Sequence, residues 1–136
     1  MKRLIDRLCK ISSSHYGKPI NSQKIILTQK ELVQNHNTPL PEKFLELLHL
    51  YNGISYDGAT ILGITSASRG FRDITLSNQM SPFKGHPHLV LLGYDELDYL
   101  VYNAQNHSYQ IIDKEDLEVL EEYSDMVTAI LHILKI

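Results

Sequence analysis

The chain has 136 residues, of which 43% are apolar and 21% charged, with a formal net charge of −3 and a single cysteine. A chain of this length buries roughly two thirds of the surface it would expose unfolded, so one domain covering 1–136 is expected, and the apolar content excludes general disorder. The charge is unevenly spread, because residues 1–94 carry 11 Lys/Arg against 6 Asp/Glu whereas residues 95–136 carry 2 against 10.

The lone Cys9 excludes an internal disulfide, and its amphipathic surroundings predict packing as a small hydrophobe. "MKRLIDRLCKI" interrupts its apolar residues with Asp6, Arg7 and Lys10 and so lacks the continuous apolar core of an export signal. No apolar run approaches the length that spans a bilayer, which makes the cytoplasm the expected location and a membrane partner unexpected. Leu4, Ile5, Leu8 and Ile11 recur at helical spacing and predict a first helix ending before Ser12 to Ser14. A second helix follows, with Ser22 as its cap, Ile25, Ile26, Leu32 and Val33 on one face, and "NHN" at 35–37 as its stop.

"PLPEKFLELLHLYNG" predicts the third helix. Pro41 stands near its first turn, Glu42 at the positive end of the dipole, and Phe44, Leu47, Leu48 and Tyr51 form one stripe. Asn52-Gly53 is placed where a left-handed cap would end it. "SYDGATILGI" then predicts a hairpin around Asp57-Gly58. Residues 65–88 are expected to be the least regular, with one helical turn in "FRDITLSNQM" and a loop at "SPFKGHPH".

"HLVLLG" reads as a strand buried in mid-sheet, and "YLVYN" and "SYQIID" as a hairpin closed by "AQNH". On that hairpin Tyr99 and Val101 share one face and Leu100 and Tyr102 the other. "KEDLEVLEEY" is ambiguous. Its Leu and Glu content favours helix, while Leu117, Val119 and Tyr123 keep a period of two that Leu120 breaks. Ser124 is placed to cap a last helix with Met126, Val127, Ile130, Leu131 and Leu134 on its apolar face. Helices first, strands in the middle and a helix last give an α+β domain with a mainly antiparallel sheet.

No catalytic motif stands out. "GITSASRG" lacks both the Gly-x-Ser-x-Gly elbow and the Gly-Lys-Ser/Thr end of a phosphate loop. His86 and His88 are two imidazoles where zinc needs three or four ligands, so neither metal nor cofactor is expected. His49 and His132 are expected on helix faces. The scattered basic residues and the acidic last third disfavour direct nucleic-acid binding. Asp95, Glu96 and Asp98 could act as an acid and base pair only if their surroundings set their pKa values apart; otherwise they shape the turn, Asp98 by accepting backbone donors, or present charge to a partner.

"LPEKFLELLHLYNG" followed by "YDGATILGI", and "LVLLGYDELDYLVYN" followed by "YQIID", resemble the SUKH superfamily, which contains many bacterial immunity proteins and a fungal regulator of cell-wall assembly. Leu40, Pro41, Glu42, Phe44, Asn52 and Gly53 match its first segment, and Gly93, Asp95, Glu96, Asp98 and Tyr99 its second. The likeness covers about residues 16–133 and is loose over 65–88, where only "FRDI" and Asn78 match. It implies a strand at about 118–123 and a non-catalytic module that occludes a toxin domain, often a nuclease, whose phosphate-holding cleft is basic. An acidic surface would be steered into such a cleft. Partner-binding residues are then expected at Tyr94, Asp95, Glu96, Asp98, Glu115, Asp116 and Glu118, with Tyr99, Tyr102 and Tyr109 as further candidate anchors. The fungal relative implies a different role, a regulatory or scaffold protein, and a small hydrolase using the carboxylates is a third reading.

Overall fold

A computed structural model describes residues 1–36, 38–65 and 73–136. Three helices come first: α1 (Lys2–Leu8), α2 (Ser22–His36) and α3 (Glu42–Leu50). Strands β1 (Ile54–Tyr56) and β2 (Ala59–Ile61) precede a short α4 (Ile74–Asn78). Strands β3 (Leu89–Tyr94), β4 (Asp98–Asn103), β5 (Ser108–Asp113) and β6 (Val119–Tyr123) then lead into α5 (Met126–Leu134). The strands form one antiparallel meander in the order β1-β2-β3-β4-β5-β6. This is the α+β architecture that the element order predicts. Helix α5 lies on the face carrying Leu100, Tyr109 and Ile111, whereas α4 and the 3-10 turn Phe83–Gly85 pack against β3, with the Phe83 ring edge-on to Tyr99 on the other face.

The turns follow from local chemistry. Asp57 (φ 49°) and Gly58 (φ 82°) both adopt positive φ, as a two-residue hairpin matched to strand twist requires. Gly93 has a different reason to be glycine: a Cβ there would meet the Thr60 carbonyl oxygen of the adjacent strand at 2.6 Å. Strand β3 is buried from Leu89 to Gly93 and lies in mid-sheet, as its unbroken apolar run predicts. Asn103 opposite Ser108 closes the four-residue loop between β4 and β5.

The ambiguous segment is strand. Its register explains the misplaced leucine: Ile112 pairs with Val119 and Ile111 with Glu121, so β6 spends one extra residue, Leu120, in a bulge. The bulge moves every later residue to the opposite face from the one a regular strand would give. Tyr123 therefore lies opposite Tyr109, on the α5 side, and its hydroxyl meets His132 Nδ1 at 2.8 Å.

Several local expectations are corrected. The Asn21 side chain, rather than Ser22, accepts the Lys24 N–H at the start of α2 (2.9 Å), and Asp125 rather than Ser124 caps α5 by accepting the Thr128 N–H (3.1 Å). In both cases the residue one position earlier or later has the reach that the cap geometry needs. On α2, Ile25, Thr28 and Leu32 form a narrow buried line while Ile26 (54%) and Val33 (48%) stay exposed, because the helix meets the rest of the domain along a single ridge. Cys9 caps α1 at the surface and does not pack inside. Helix α3 buries Phe44, Leu47 and Leu48 as expected but ends at Leu50. Tyr51 is already extended, and Gly53 uses its φ of +90° two residues later, on entry to β1. On α5 the buried set adds Ala129 and Ile133, and Leu131 is only partly covered.

Three side-chain amides join these pieces by pairing with a backbone as a strand would. Gln29 accepts from Leu40 N–H (2.7 Å) and donates to its carbonyl (3.1 Å). Asn52 does the same with Ile64 (2.7 and 2.8 Å). Asn78, fully buried, accepts from Leu91 N–H (2.7 Å) and donates to the carbonyls of Leu91 (3.1 Å) and Ile74 (2.8 Å), tying α4 to β3. Each satisfies backbone groups that neither sheet nor helix reaches. Asn37 of the predicted helix stop, the serines of "GITSASRG" and the first two residues of "FRDI" lie outside the described residues.

Candidate functional site

A meander of six strands sends the β1–β2, β3–β4 and β5–β6 turns to the same end of the sheet. That end gathers Asp57, Asp95, Glu96, Asp98, Asp113, Glu115, Asp116 and Glu118. The turns touch: Lys114 N–H donates to the Leu97 carbonyl (3.0 Å), and Asp57, Gly58, Asp95, Glu96, Leu97 and Lys135 line a hollow of about 190 Å³. Among the described residues the ion pairs are Arg3–Asp125 (3.1 Å) and Lys43–Glu46 (3.5 Å), and neither involves these eight carboxylates. The C-terminal turn of α5 also reaches this end through Lys135, bringing the negative end of its dipole.

The acids divide by role. Asp95 Oδ1 accepts from the N–H groups of Leu97 (2.9 Å) and Asp98 (2.8 Å), building the turn between β3 and β4. The structural job expected of Asp98 thus belongs to Asp95, whose position two and three residues before the donors suits a short side chain. Asp113 Oδ1 accepts from Glu115 N–H (2.7 Å) and Asp116 N–H (3.3 Å), and Asp116 Oδ1 accepts from Glu118 N–H (2.9 Å). Glu96, Glu115, Asp116 and Glu118 are exposed.

Asp98 is the strained member. It lies directly across from Asp113 in the β4–β5 register. Partial burial, with the charges of Asp95 and Asp113 behind it, raises its carboxyl above the ordinary aspartate range, against the pull of His132 and Lys135.

The tyrosines mostly support this end from behind. Lys114 Nζ sits 5.0 Å from the ring centroid of Tyr94 and 5.4 Å from that of Tyr99, so the two rings hold the ammonium group. Tyr94 is half-buried there. Tyr109 is in the core, and burial pushes its hydroxyl up to about 12, with smaller contributions from Tyr102 and Asp125. Tyr102 leans on Tyr109 and meets His107 Nδ1 at 3.2 Å, at the far end of the sheet. The residue that sequence reasoning missed is Leu97, 73% exposed at the tip of the acidic turn. Its signal was an apolar residue inside "DELD", which reads equally well as the start of a strand.

Elsewhere, a cleft of about 150 Å³ lies between the segment Ser14–Gly17 and β1–β2, where His15 Nδ1 meets the Ser55 carbonyl at 3.0 Å. Asn52 also lines this cleft, but its amide is occupied by Ile64. His86 and His88 approach edge-on, 6.1 Å between centroids. Among the described residues no three His, Cys, Asp or Glu side chains converge as metal ligands would, and no helix is long and apolar enough to cross a membrane. What the acidic end offers chemically is a negative field around one exposed leucine. No protein-family model matches the chain, and no curated protein matches it.

Proposed function

We propose that the acidic end of the sheet docks a cationic partner protein and that the chain is a binding module of the SUKH type, acting in the cytoplasm as an immunity protein that occludes a basic toxin domain. The observation that carries the reading is the gathering of eight carboxylates at one end with, among the described residues, no lysine or arginine in ion-pair contact. Such an arrangement costs stability through self-repulsion and gains nothing for the fold beyond three turn caps, whereas it steers a basic surface into place. Leu97, exposed beside Asp95 and Glu96 at the tip of the β3–β4 turn, supplies an apolar contact among charged groups, as an anchor with a polar rim requires.

The test starts from a partner captured from the source cell, purified, and mixed with the chain in stopped flow over a range of ionic strengths. The triple variant Glu96→Gln, Glu115→Gln, Glu118→Gln changes exposed side chains that form no turn through their carboxylates, so it should fold normally. Its association with the partner should be slowed about tenfold at low salt, with a flatter salt dependence. Equal salt slopes for wild type and triple variant would defeat the acidic-end reading. Co-expression of chain and partner decides the immunity role: relief of growth arrest is expected, and a partner harmless on its own would point to the regulatory alternative.

A further inference from the structure

The acidic end runs without a break into the free edge of β6. An open sheet has two edges, and the one at β1 is covered: Tyr16 bridges Ile54, Gly17 N–H donates to the Gly53 carbonyl (2.8 Å), and His15 Nδ1 meets the Ser55 carbonyl. At β6 no described residue pairs on the outer side, and Val119 to Glu122 are all exposed, Val119 at 48% and Leu120 at 46%. Asp113 N–H donates to the Glu118 carbonyl (2.9 Å), so alternation along β5 turns Ile111 and Tyr109 toward β6, opposite Glu121 and Tyr123. Glu122, between those two, directs its own N–H and carbonyl outward.

The charge along this edge selects what can pair with it. Glu115, Asp116, Glu118, Glu121 and Glu122 lie on or beside it, and no lysine or arginine occurs between Lys114 and Lys135. A second copy of the chain pairing there would set glutamates against glutamates, which is destabilising across neighbouring strands. A cationic strand would meet Glu121 on one face of the sheet and Val119 with Glu122 on the other, the Glu122 carboxylate already accepting from Ser108 Oγ (3.2 Å) and Gln110 Nε2 (2.5 Å), and Leu120 exposed between them.

We propose that the free edge of β6 accepts an extended, lysine- or arginine-rich segment of the partner protein as a seventh strand. With Leu120 spent in the bulge, β6 offers four ladder positions, about 13 Å of edge, enough for a segment of about four residues. The proposal deepens the docking reading by stating how the partner's chain lies, and it can fail while that reading survives.

The probe is a blocked hexapeptide of alternating lysine and valine at millimolar concentration. Its control is the same length of alternating lysine and proline, which keeps the charge but loses every second backbone N–H and is held near φ −65°, so that it pairs poorly as a strand. Amide shifts and hydrogen exchange are followed by NMR on the full chain. The lysine–valine peptide should shift the β6 amides and slow exchange at Glu122 N–H at least about fivefold, while the lysine–proline peptide should leave that exchange rate unchanged. Glu121→Gln should weaken the effect while changing the free spectrum only at the substituted residue and its immediate neighbours. Equal effects of the two peptides, or unchanged Glu122 exchange, would overturn strand addition. Shifts confined to 95–98 and 115–118 would overturn it too, while leaving charge-driven docking intact. Concentration-dependent dimerisation of the chain alone through β6 would likewise overturn the choice of a cationic occupant.

Discussion

Asn78 shows how much of this fold rests on single polar side chains. It is fully buried in the five-residue α4, and its amide is the hydrogen-bond partner of both the N–H and the carbonyl of Leu91 in β3, where the ladder shifts at Leu92. Replacing it with alanine leaves two buried backbone groups unpaired and opens space beside them. Asn78→Ala should therefore lower unfolding stability by about 2–4 kcal/mol, read as a lower urea midpoint with an unchanged slope. Asn35→Ala, which removes an exposed bond to the Glu31 carbonyl, should be close to neutral and serves as the control. Local sequence does not show which of the two is buried; only the family resemblance singles out Asn78. Both look like loop or cap residues, because a side chain that mimics a strand is recognisable only once the strand it completes is in place.

The same contrast between local and long-range information runs through the elements. Helix α3, both hairpins and the central position of β3 were legible because a proline before a helical apolar stripe, a positive-φ dipeptide and an unbroken apolar run act over a few residues, although the Asn52-Gly53 stop expected of α3 was misplaced. The faces of α2 and the bulge of β6 were not, since each depends on what packs against the element. Ile26 and Val33 look as apolar as Ile25 and Leu32 until the single ridge of contact is known. Of the candidate site residues, the acids were legible as a cluster in sequence, but Asp57 and Asp113 join it only through the meander.

The β4–β5 pair carries a prediction of its own. Asp98 and Asp113 face each other, and the Asp98 carboxyl titrates above its unfolded value. A raised carboxyl pKa means that the folded state holds its proton more tightly than the unfolded chain. Its ionisation therefore removes stability as pH climbs from the ordinary aspartate range through the raised folded value. Asp98→Asn should make the domain more stable at pH 7 by about a few tenths of a kcal/mol, small because solvent screens this partly exposed pair. The advantage should shrink as the pH falls below the raised Asp98 value, where the carboxyl is protonated and there is no charge left for the substitution to remove. Melting curves of the two proteins across that range check it, and a variant less stable at pH 7 would contradict the like-charge account. A residue whose charge costs stability at neutral pH is easier to understand on a docking surface than in a scaffold.

For the whole molecule, a net charge of −3 hides an uneven distribution: eight carboxylates with Lys114 and Lys135 stand at one end of the sheet, while residues 1–94 carry 11 Lys/Arg against 6 Asp/Glu. Salt weakens attraction and repulsion alike, so the sign of its effect on stability depends on which interactions are at short range in the native state. The attractions resolved among the described residues are two exposed ion pairs, Arg3–Asp125 and Lys43–Glu46, and such pairs are each worth less than about 1 kcal/mol. The repulsions are several, mutually close, and confined to turns that hold the carboxylates in place through Asp95, Asp113 and Asp116. In the unfolded chain the same acids are spread along a flexible polymer and repel less. Raising ionic strength from about 10 mM to about 150 mM, which shortens the screening length from roughly 30 Å to roughly 8 Å, should therefore raise the melting temperature at pH 7. The increase should be smaller in the Glu96→Gln, Glu115→Gln, Glu118→Gln variant and nearly absent at about pH 3, where most carboxylates are protonated. A melting temperature that falls with salt at pH 7 would mean that attraction between the two halves outweighs repulsion at the acidic end, and a partner would then have to compete with the chain's own basic residues for that surface.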